Sequence, residues 1–246
     1  MAFSSGHDES GLILDYFKAH PRSGTMIDVG AQFGTSFRDY LAMGWRVVAI
    51  EPDATKHEKL AKYREDHRFT LIMDAVGARE QEAAAFYTSP ESNGISSLLP
   101  FRQSHTESAK VRVTTLRKIM AEQGIERLDY LKVDTEGYDL AVLRGYPWER
   151  TRPEVVMAEF DEIKTVHMQH TYRETGDFLV DQGYEVYLSE WMPIVRYGVE
   201  HTWRSIRRYP CELENEKAWG NFVAVLEDAQ VGTMRELVEA HQSDGK

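Results

Sequence analysis

The stretch MIDVGAQFGTSF, residues 26–37, decides the fold. Its apolar start predicts a β-strand, and an aspartate, Asp28, lies inside this strand. Two glycines four positions apart, Gly30 and Gly34, then predict a tight turn that leads into a helix. A strand, a glycine turn and a helix in this order often hold a nucleotide-like cofactor.

Further apolar runs alternate with helical segments along the chain. The runs predicted as strands are WRVVAIEP (45–52), RFTLIMDAVG (68–77), RLDYLKVD (127–134), PEVVMAEF (153–160), YEVYLSEW (184–191) and NFVAVLED (221–228). Two shorter runs, EAAAFYTS and KVRVTTL, predict short strands around a loop. Because strands alternate with helices, the sequence predicts an α/β fold with a parallel, Rossmann-like sheet and helices on both faces. The last connection, residues 192–220, contains no clear crossover helix, so the final strand is expected to run antiparallel.

Composition and length are those of a soluble globular protein. The chain has 246 residues, of which 42% are hydrophobic and 28% charged, and no Pro/Gly/Ser linker divides it. We therefore predict a single domain over residues 1–246, with an N-terminal helix region (1–22), a cofactor-binding core (23–165) and a closing region of strands and substrate-side loops (166–246).

The composition also predicts the cellular location of the protein and the partners it does not bind. No apolar run approaches the roughly 20 residues that span a bilayer, and the first residues lack the pattern of a signal peptide. The only cysteine, Cys211, excludes an internal disulfide. These features predict a cytoplasmic protein without a membrane span. The net charge of −11 predicts that nucleic acid is not a partner, although WRSIRRYP at 203–210 is locally basic. The sequence leaves the oligomeric state open.

The acidic residue after the second predicted strand points to the cofactor. Glu51 follows the glycine turn by about 20 residues, where a carboxylate can accept hydrogen bonds from ribose hydroxyls. A turn that binds a dinucleotide needs a further glycine at the point where the pyrophosphate approaches the backbone. In this turn, G-A-Q-F-G, that glycine is missing and Phe33 stands where small residues are needed. S-adenosylmethionine carries ribose and adenine without pyrophosphate, so we predict it as the cofactor.

Individual contacts to this cofactor are assigned by position. Asp28 is expected to hold the ammonium group, directly or through water, and Asp74 the adenine amino group. The full predicted set comprises Asp28, Gly30, Gln32, Gly34, Thr35, Glu51, Asp74, Ala75 and Asp134. The alternative from a different class is a non-catalytic α/β module that binds S-adenosylmethionine or a nucleotide.

A second constellation lies in LDYLKVDTEGYDLAVLRG, residues 128–145. Asp134 ends the fourth predicted strand, Glu136 follows two residues later, and Glu159 ends the fifth strand. The three carboxylates are expected at one edge of the sheet. Each also has a structural interpretation: Asp134 as a helix cap, Glu136 as a brace between loops, and Glu159 as a partner of Lys132 or an arginine.

Five segments together resemble the FkbM-type methyltransferases. They are MIDVGAQFGTSF, VVAIEPD, VTTLRKI, LDYLKVDTEGYDLAVLRG and PEVVMAEF, and they span about residues 25–165. The specific part is the motif K-x-D-x-E-G, formed by Lys132, Asp134, Glu136 and Gly137. Gln32 and Asp139 depart from the family pattern, which usually has asparagine and glutamate there.

This resemblance implies a seven-stranded class I methyltransferase fold that uses S-adenosylmethionine. It also implies methyl transfer to a hydroxyl oxygen of a sugar, a glycan or a polyketide-type small molecule. Two other methyltransferase classes fit less well. The DNA amino-methylation signature is replaced by DTEG, and the Pro210–Cys211 pair follows the wrong strand for cytosine methylation.

Transfer to an alcohol is helped by a general base or a metal ion. Asp134, Glu136 and Glu159 are the candidate carboxylate bases, and His201 is the candidate from the later loops, beside His167 and His170. The three carboxylates are also hard oxygen ligands that suit Mg²⁺. Four aromatic residues are candidates for stacking on a sugar ring or for filling the core: Trp191, Tyr197, Trp203 and Tyr209.

Overall fold

The computed structural model describes residues 8–165, 168–196, 199–227 and 231–244. The chain divides into two compact units. Residues 23–153 form one, called here the middle unit, and the residues before 23 and after 153 form the other, called the terminal unit. The single domain expected from the sequence stays a prediction.

Helices and strands alternate over much of the chain. The helices are α1 (Glu9–Ala19), α2 (Arg38–Ala42), α3 (Ala54–Ala61), α4 (Leu116–Glu122), α5 (Asp139–Arg144), α6 (Glu162–Thr165), α7 (Tyr172–Asp181) and α8 (Val231–Asp244). The strands are β1 (Thr25–Val29), β2 (Arg46–Ile50), β3 (Phe69–Ile72), β4 (Ala75–Val76), β5 (Gln81–Ser89), β6 (Ser92–Ser97), β7 (Thr106–Thr114), β8 (Tyr130–Val133), β9 (Val155–Asp161), β10 (Tyr184–Trp191), β11 (Trp203–Arg208) and β12 (Trp219–Leu226). None of the helices in the described ranges has the length and apolarity that crossing a bilayer requires.

A parallel sheet forms the core of the middle unit. Its strand order is β8-β1-β2-β3, and every one of these pairs is parallel. Apolar side chains make β1, β2 and β8 almost entirely buried, as expected for parallel strands covered on both faces. The carboxyl ends of β1, β2 and β8 therefore meet at one edge.

The middle unit also contains a second, smaller sheet in the order β4-β7-β5-β6. The run at 68–77 was predicted as one strand but forms two, β3 and β4, which belong to different sheets. Strand β6, sequence SNGISS, lies in the predicted loop. Its serines and glycine have low β-propensity, and it forms by pairing antiparallel to β5.

The terminal unit contains an antiparallel sheet in the order β11-β10-β12-β9. The last strand of the chain, β12, is antiparallel to both β9 and β10. This antiparallel sheet and the parallel sheet of the middle unit have four strands each, eight in all among the described residues, so the predicted number of seven is wrong. The additional strand is β11, which lies in the connection predicted to be irregular. Within the part of the chain that the structure describes, it pairs with β10 alone, and edge strands tolerate charged side chains such as its arginines.

Candidate active site

A cleft lies at the carboxyl ends of β1, β2 and β8, within the middle unit. The small sheet also contributes to its wall. The lining residues are Val29, Gly30, Gln32, Ile50, Glu51, Pro52, Lys56, Ala75, Val76, Phe86, Gly94, Ser96, Ser97, Leu98, Asp134, Thr135, Glu136 and Tyr138. Six of the predicted site residues are among them: Gly30, Gln32, Glu51, Ala75, Asp134 and Glu136.

Glu51 is fixed in the cleft wall by the backbone. The amide of Gln32 donates to Oε2 at 2.8 Å, and the amide of Asp53 donates to Oε1 at 2.9 Å. Burial raises the pKa of the Glu51 carboxyl, and the nearby Lys56 ammonium opposes that rise. Since each carboxylate oxygen can accept more than one hydrogen bond, Glu51 keeps acceptor capacity toward the cleft.

Gly30 allows the first turn to lie against the end of β8. Its φ of +83° is in the left-handed region, and a Cβ built there would lie 1.9 Å from the carbonyl oxygen of Asp134. A side chain at this position is therefore excluded by both backbone conformation and space. The turn and the Asp134 loop form adjoining parts of the cleft wall.

The loop after β8 places a glutamate at an unusual backbone conformation. Glu136 has a φ of +59°, which is uncommon for a residue other than glycine. Asp139, buried at the start of α5, accepts hydrogen bonds from the amides of Thr135 and Gly137, each at 3.1 Å. These bonds stabilise the loop on either side of Glu136, which lines the cleft.

Lys132 connects two of the predicted acids beneath this loop. Its Nζ lies 3.3 Å from Oδ1 of Asp28 and 3.3 Å from Oδ2 of Asp134. Burial by itself would lower the pKa of Lys132, but the two carboxylates outweigh it and raise that pKa. The sequence indicated Lys132 as part of the K-x-D-x-E-G motif and as a candidate partner of Glu159, but not as the partner of Asp28 and Asp134. The available signal was a lysine inside the otherwise apolar strand YLKV.

Four residues of the predicted cofactor set do not line the cleft: Asp28, Gly34, Thr35 and Asp74. Asp28 is fully buried and accepts from the Ser36 hydroxyl in addition to its ion pair. The carboxylate of Asp74 accepts from the Arg112 guanidinium on the exposed side of β7. Their assigned contacts to the cofactor stay predictions.

The remaining catalytic candidates belong to the terminal unit. Glu159 is buried in β9 and forms an ion pair with Lys164, whose Nζ lies 2.9 Å from its Oε1. The expected pairing of Glu159 with Lys132 or an arginine stays a prediction. His201 packs edge-on against Trp219, and burial lowers the pKa of its imidazole. The roles of Glu159 and His201, and the magnesium site that would draw on both units, stay predictions.

Two of the aromatic candidates fill the core of the terminal unit. Trp191 and Tyr209 are buried, which supports the structural interpretation for them. Trp203 is half-buried and donates its indole N–H to Ser189. Tyr197 and His167 lie outside the described residues.

Comparison with protein families gives an extended match. The model of the methyltransferase FkbM domain matches residues 28–186. No curated protein matches significantly. Structures similar to this chain include a putative RNA methyltransferase from Pyrococcus horikoshii, with 13% identity, coverage of 90% of this chain and 83% of that chain, and a TM-score of 0.44. A precorrin-6y C5,15-methyltransferase from Geobacter metallireducens has 12% identity, coverage of 91% and 94%, and a TM-score of 0.42.

Proposed function

Because the chain belongs to the FkbM methyltransferase family and is thus an S-adenosylmethionine-dependent methyltransferase, we propose that it methylates a hydroxyl oxygen of a sugar, a glycan or a polyketide-type small molecule. One observation carries this proposal. Two carboxylates, Asp134 and Glu136, line the same cleft as Glu51. The cleft thus combines an acceptor for ribose hydroxyls with acids that can take a proton from an alcohol.

Residues of the cleft fit the cofactor. Glu51 is the group that would hold the ribose hydroxyls, since both of its oxygens are oriented by backbone amides and retain acceptor capacity. Ile50, Val76 and Phe86 supply apolar surface that would cover the adenine ring. Gly30 keeps the first turn free of a side chain at the base of the cleft.

The chain's own groups would then activate the acceptor. S-adenosylmethionine supplies an electrophilic methyl group when it is bound. A hydroxyl is a poor nucleophile while it keeps its proton, and Glu136 or Asp134 would accept that proton as general base. Asp139 would fix Glu136 through the loop amides, and Lys132 would fix Asp134 through their ion pair. Much of the remaining rate enhancement would come from positioning the two reactants.

The test compares Glu136→Gln and Asp134→Asn with the wild type. Loss of the general base is expected to slow methyl transfer by about 10²- to 10⁴-fold, while Glu136→Gln still binds S-adenosylhomocysteine. The rate is measured as S-adenosylhomocysteine formed with a panel of hydroxylated acceptors, and mass spectrometry locates the methyl group on the product. Glu126→Gln, an exposed acid of the same unit, is the matched control and should leave the rate unchanged.

Three outcomes would contradict the proposal. Wild-type rates in both variants would remove the catalytic assignment of Asp134 and Glu136. A wild-type chain that binds S-adenosylhomocysteine but methylates no hydroxyl in the panel would favour the non-catalytic binding module. A methyl group found on nitrogen or carbon would replace O-methylation with another reaction.

A further inference from the structure

A buried lysine lines the cleft, and the mechanism above gives it no role. Lys56 belongs to the first turn of α3 and is only 2% exposed. Its Nζ lies 3.7 Å from Oε1 of Glu51 and 3.5 Å from Oδ2 of Asp53. Taking an ammonium group out of water is costly unless opposite charges compensate it. Its position between two carboxylates supplies that compensation.

Asp53 is the second carboxylate that forms an ion pair with Lys56, and its own position is fixed by hydrogen bonds. Its Oδ1 accepts from the amide of Thr55 at 3.0 Å, and its Oδ2 accepts from the hydroxyl of Ser96 at 2.9 Å. Burial opposes ionisation of Asp53, but the Thr55 hydrogen bonds and the Lys56 charge outweigh it and lower its pKa. Asp53 is therefore a stable anion against which the ammonium is oriented.

The charge balance around Glu51 depends on this one cation. Burial raises the pKa of Glu51, the Asp53 charge adds to the rise, and the Lys56 charge is the largest opposing influence. Among the residues described around the cleft, Lys56 alone has a cationic side chain. The other titratable groups there are Asp134, Glu136 and Tyr138, and His57 donates from its ring to the carbonyl oxygen of Glu51. Without Lys56, the cleft wall would hold only acids and neutral groups.

We propose that Lys56 is a positioning residue for the cofactor, whose ammonium keeps the Glu51 carboxylate charged and able to accept hydrogen bonds from both ribose hydroxyls. A protonated Glu51 would have one oxygen occupied by its own proton. The inference rests on the proposed placement of the ribose at Glu51. If Lys56 has this role, its removal changes how the affinity for the cofactor depends on pH. Removal of a lysine that only fills space would not change that pH dependence.

The experiment measures the dissociation constant of S-adenosylhomocysteine by calorimetry for the full chain at a series of pH values. In Lys56→Met the midpoint of Glu51 ionisation is expected to shift to higher pH. Affinity of this variant should then fall by up to about tenfold per pH unit below that midpoint and recover toward the wild-type value at high pH. The wild type should lose affinity only at lower pH.

Three further variants isolate the charge. Lys56→Arg retains a cation and should restore the wild-type pH profile. Glu51→Gln combined with Lys56→Met should bind weakly with no pH dependence, because the titrating group is gone. Lys62→Met removes an exposed lysine just beyond the same helix and should bind like the wild type.

The outcomes separate this inference from the function on which it rests. If the wild type binds no S-adenosylhomocysteine, the proposed placement of the cofactor fails. If the wild type binds and Lys56→Met weakens binding by the same factor at every pH, or not at all, the positioning role of Lys56 is wrong while the cofactor assignment stands. Should circular dichroism show that Lys56→Met does not fold, Lys56→Gln replaces it, and its pH profile decides in the same way.

Discussion

At the scale of single residues, the middle unit keeps its buried cations between pairs of acids. Lys132 lies between Asp28 and Asp134, and Lys56 lies between Glu51 and Asp53. In each group one carboxylate lines the cleft, and removing the lysine would leave that acid next to a second negative charge. Such groups contribute little net stability when complete and cost much when one member is lost.

Lys132→Met is therefore expected to lower the free energy of unfolding by about 3–5 kcal/mol. The reason is that Asp28, which is fully buried, would lose its cation while its desolvation cost remains. Urea denaturation followed by circular dichroism measures the change. Lys118→Met removes the surface pair with Glu80 and should change the free energy of unfolding much less, because the pair is exposed to solvent. Equal losses in the two variants would show that the buried pair has no special energetic role.

The acidic residues of the cleft could be predicted from the sequence more easily than the lysines that form ion pairs with them. Glu51 was found from its distance to the glycine turn, and Asp134 and Glu136 from their position after an apolar strand. Lys56 has no such signal, because a lysine in the first turn of a helix is ordinarily exposed. Its partner Asp53 accepts a hydrogen bond from Ser96, 43 residues later in β6, and such a tertiary contact leaves no local signal in the sequence.

At the scale of elements, the turn after β1 determines how the cleft is built. Gly30 and Gly124 both have positive φ, at +83° and +60°. An added Cβ at Gly124 meets nothing within 4 Å, whereas at Gly30 it would overlap the carbonyl oxygen of Asp134. Substituting alanine at each glycine therefore distinguishes two contributions to the loss of stability. At Gly124 only the left-handed backbone conformation is unfavourable, whereas at Gly30 a steric clash is added.

Gly124→Ala is expected to destabilise the chain by about 1–2 kcal/mol, the cost of a left-handed conformation alone. Gly30→Ala should cost clearly more, because the turn and the Asp134 loop would have to separate. It should also weaken S-adenosylhomocysteine binding, which Gly124→Ala should not. Thermal unfolding and calorimetry on both variants check this, and a Gly30→Ala chain that matches Gly124→Ala in both measurements would contradict the close approach.

Elements whose stability comes from their own residues were predictable, and elements that depend on a neighbour were not. β2 and β8 are short apolar strands, and the structure confirms them near the predicted positions. β6 and β11 were missed because serine, glycine and arginine dominate them, and each forms by pairing at the edge of an existing sheet. Because β11 was missed for this reason, the predicted number of strands was too low by one.

At the scale of the whole molecule, cofactor binding should appear as a gain in stability. A ligand that binds only the folded chain at about 100 times its dissociation constant stabilises it by about 2.7 kcal/mol. For a chain of 150–250 residues, each kcal/mol raises the melting temperature by about 2–4 °C. S-adenosylhomocysteine is thus expected to raise the melting temperature by roughly 5–11 °C, measured by differential scanning fluorimetry.

NAD provides the matched comparison, since it shares the ribose and adenine but adds a pyrophosphate. The first turn, G-A-Q-F-G, has no middle glycine through which its backbone would approach that group. NAD should therefore leave the melting temperature unchanged at the same concentration. Glu51→Ala should lose most of the S-adenosylhomocysteine shift, because its carboxylate would no longer accept the ribose hydroxyls. If NAD raised the melting temperature as much as S-adenosylhomocysteine does, the cleft would recognise only the adenosine that both ligands share. The proposed selection for the methyl donor by this turn would then be wrong.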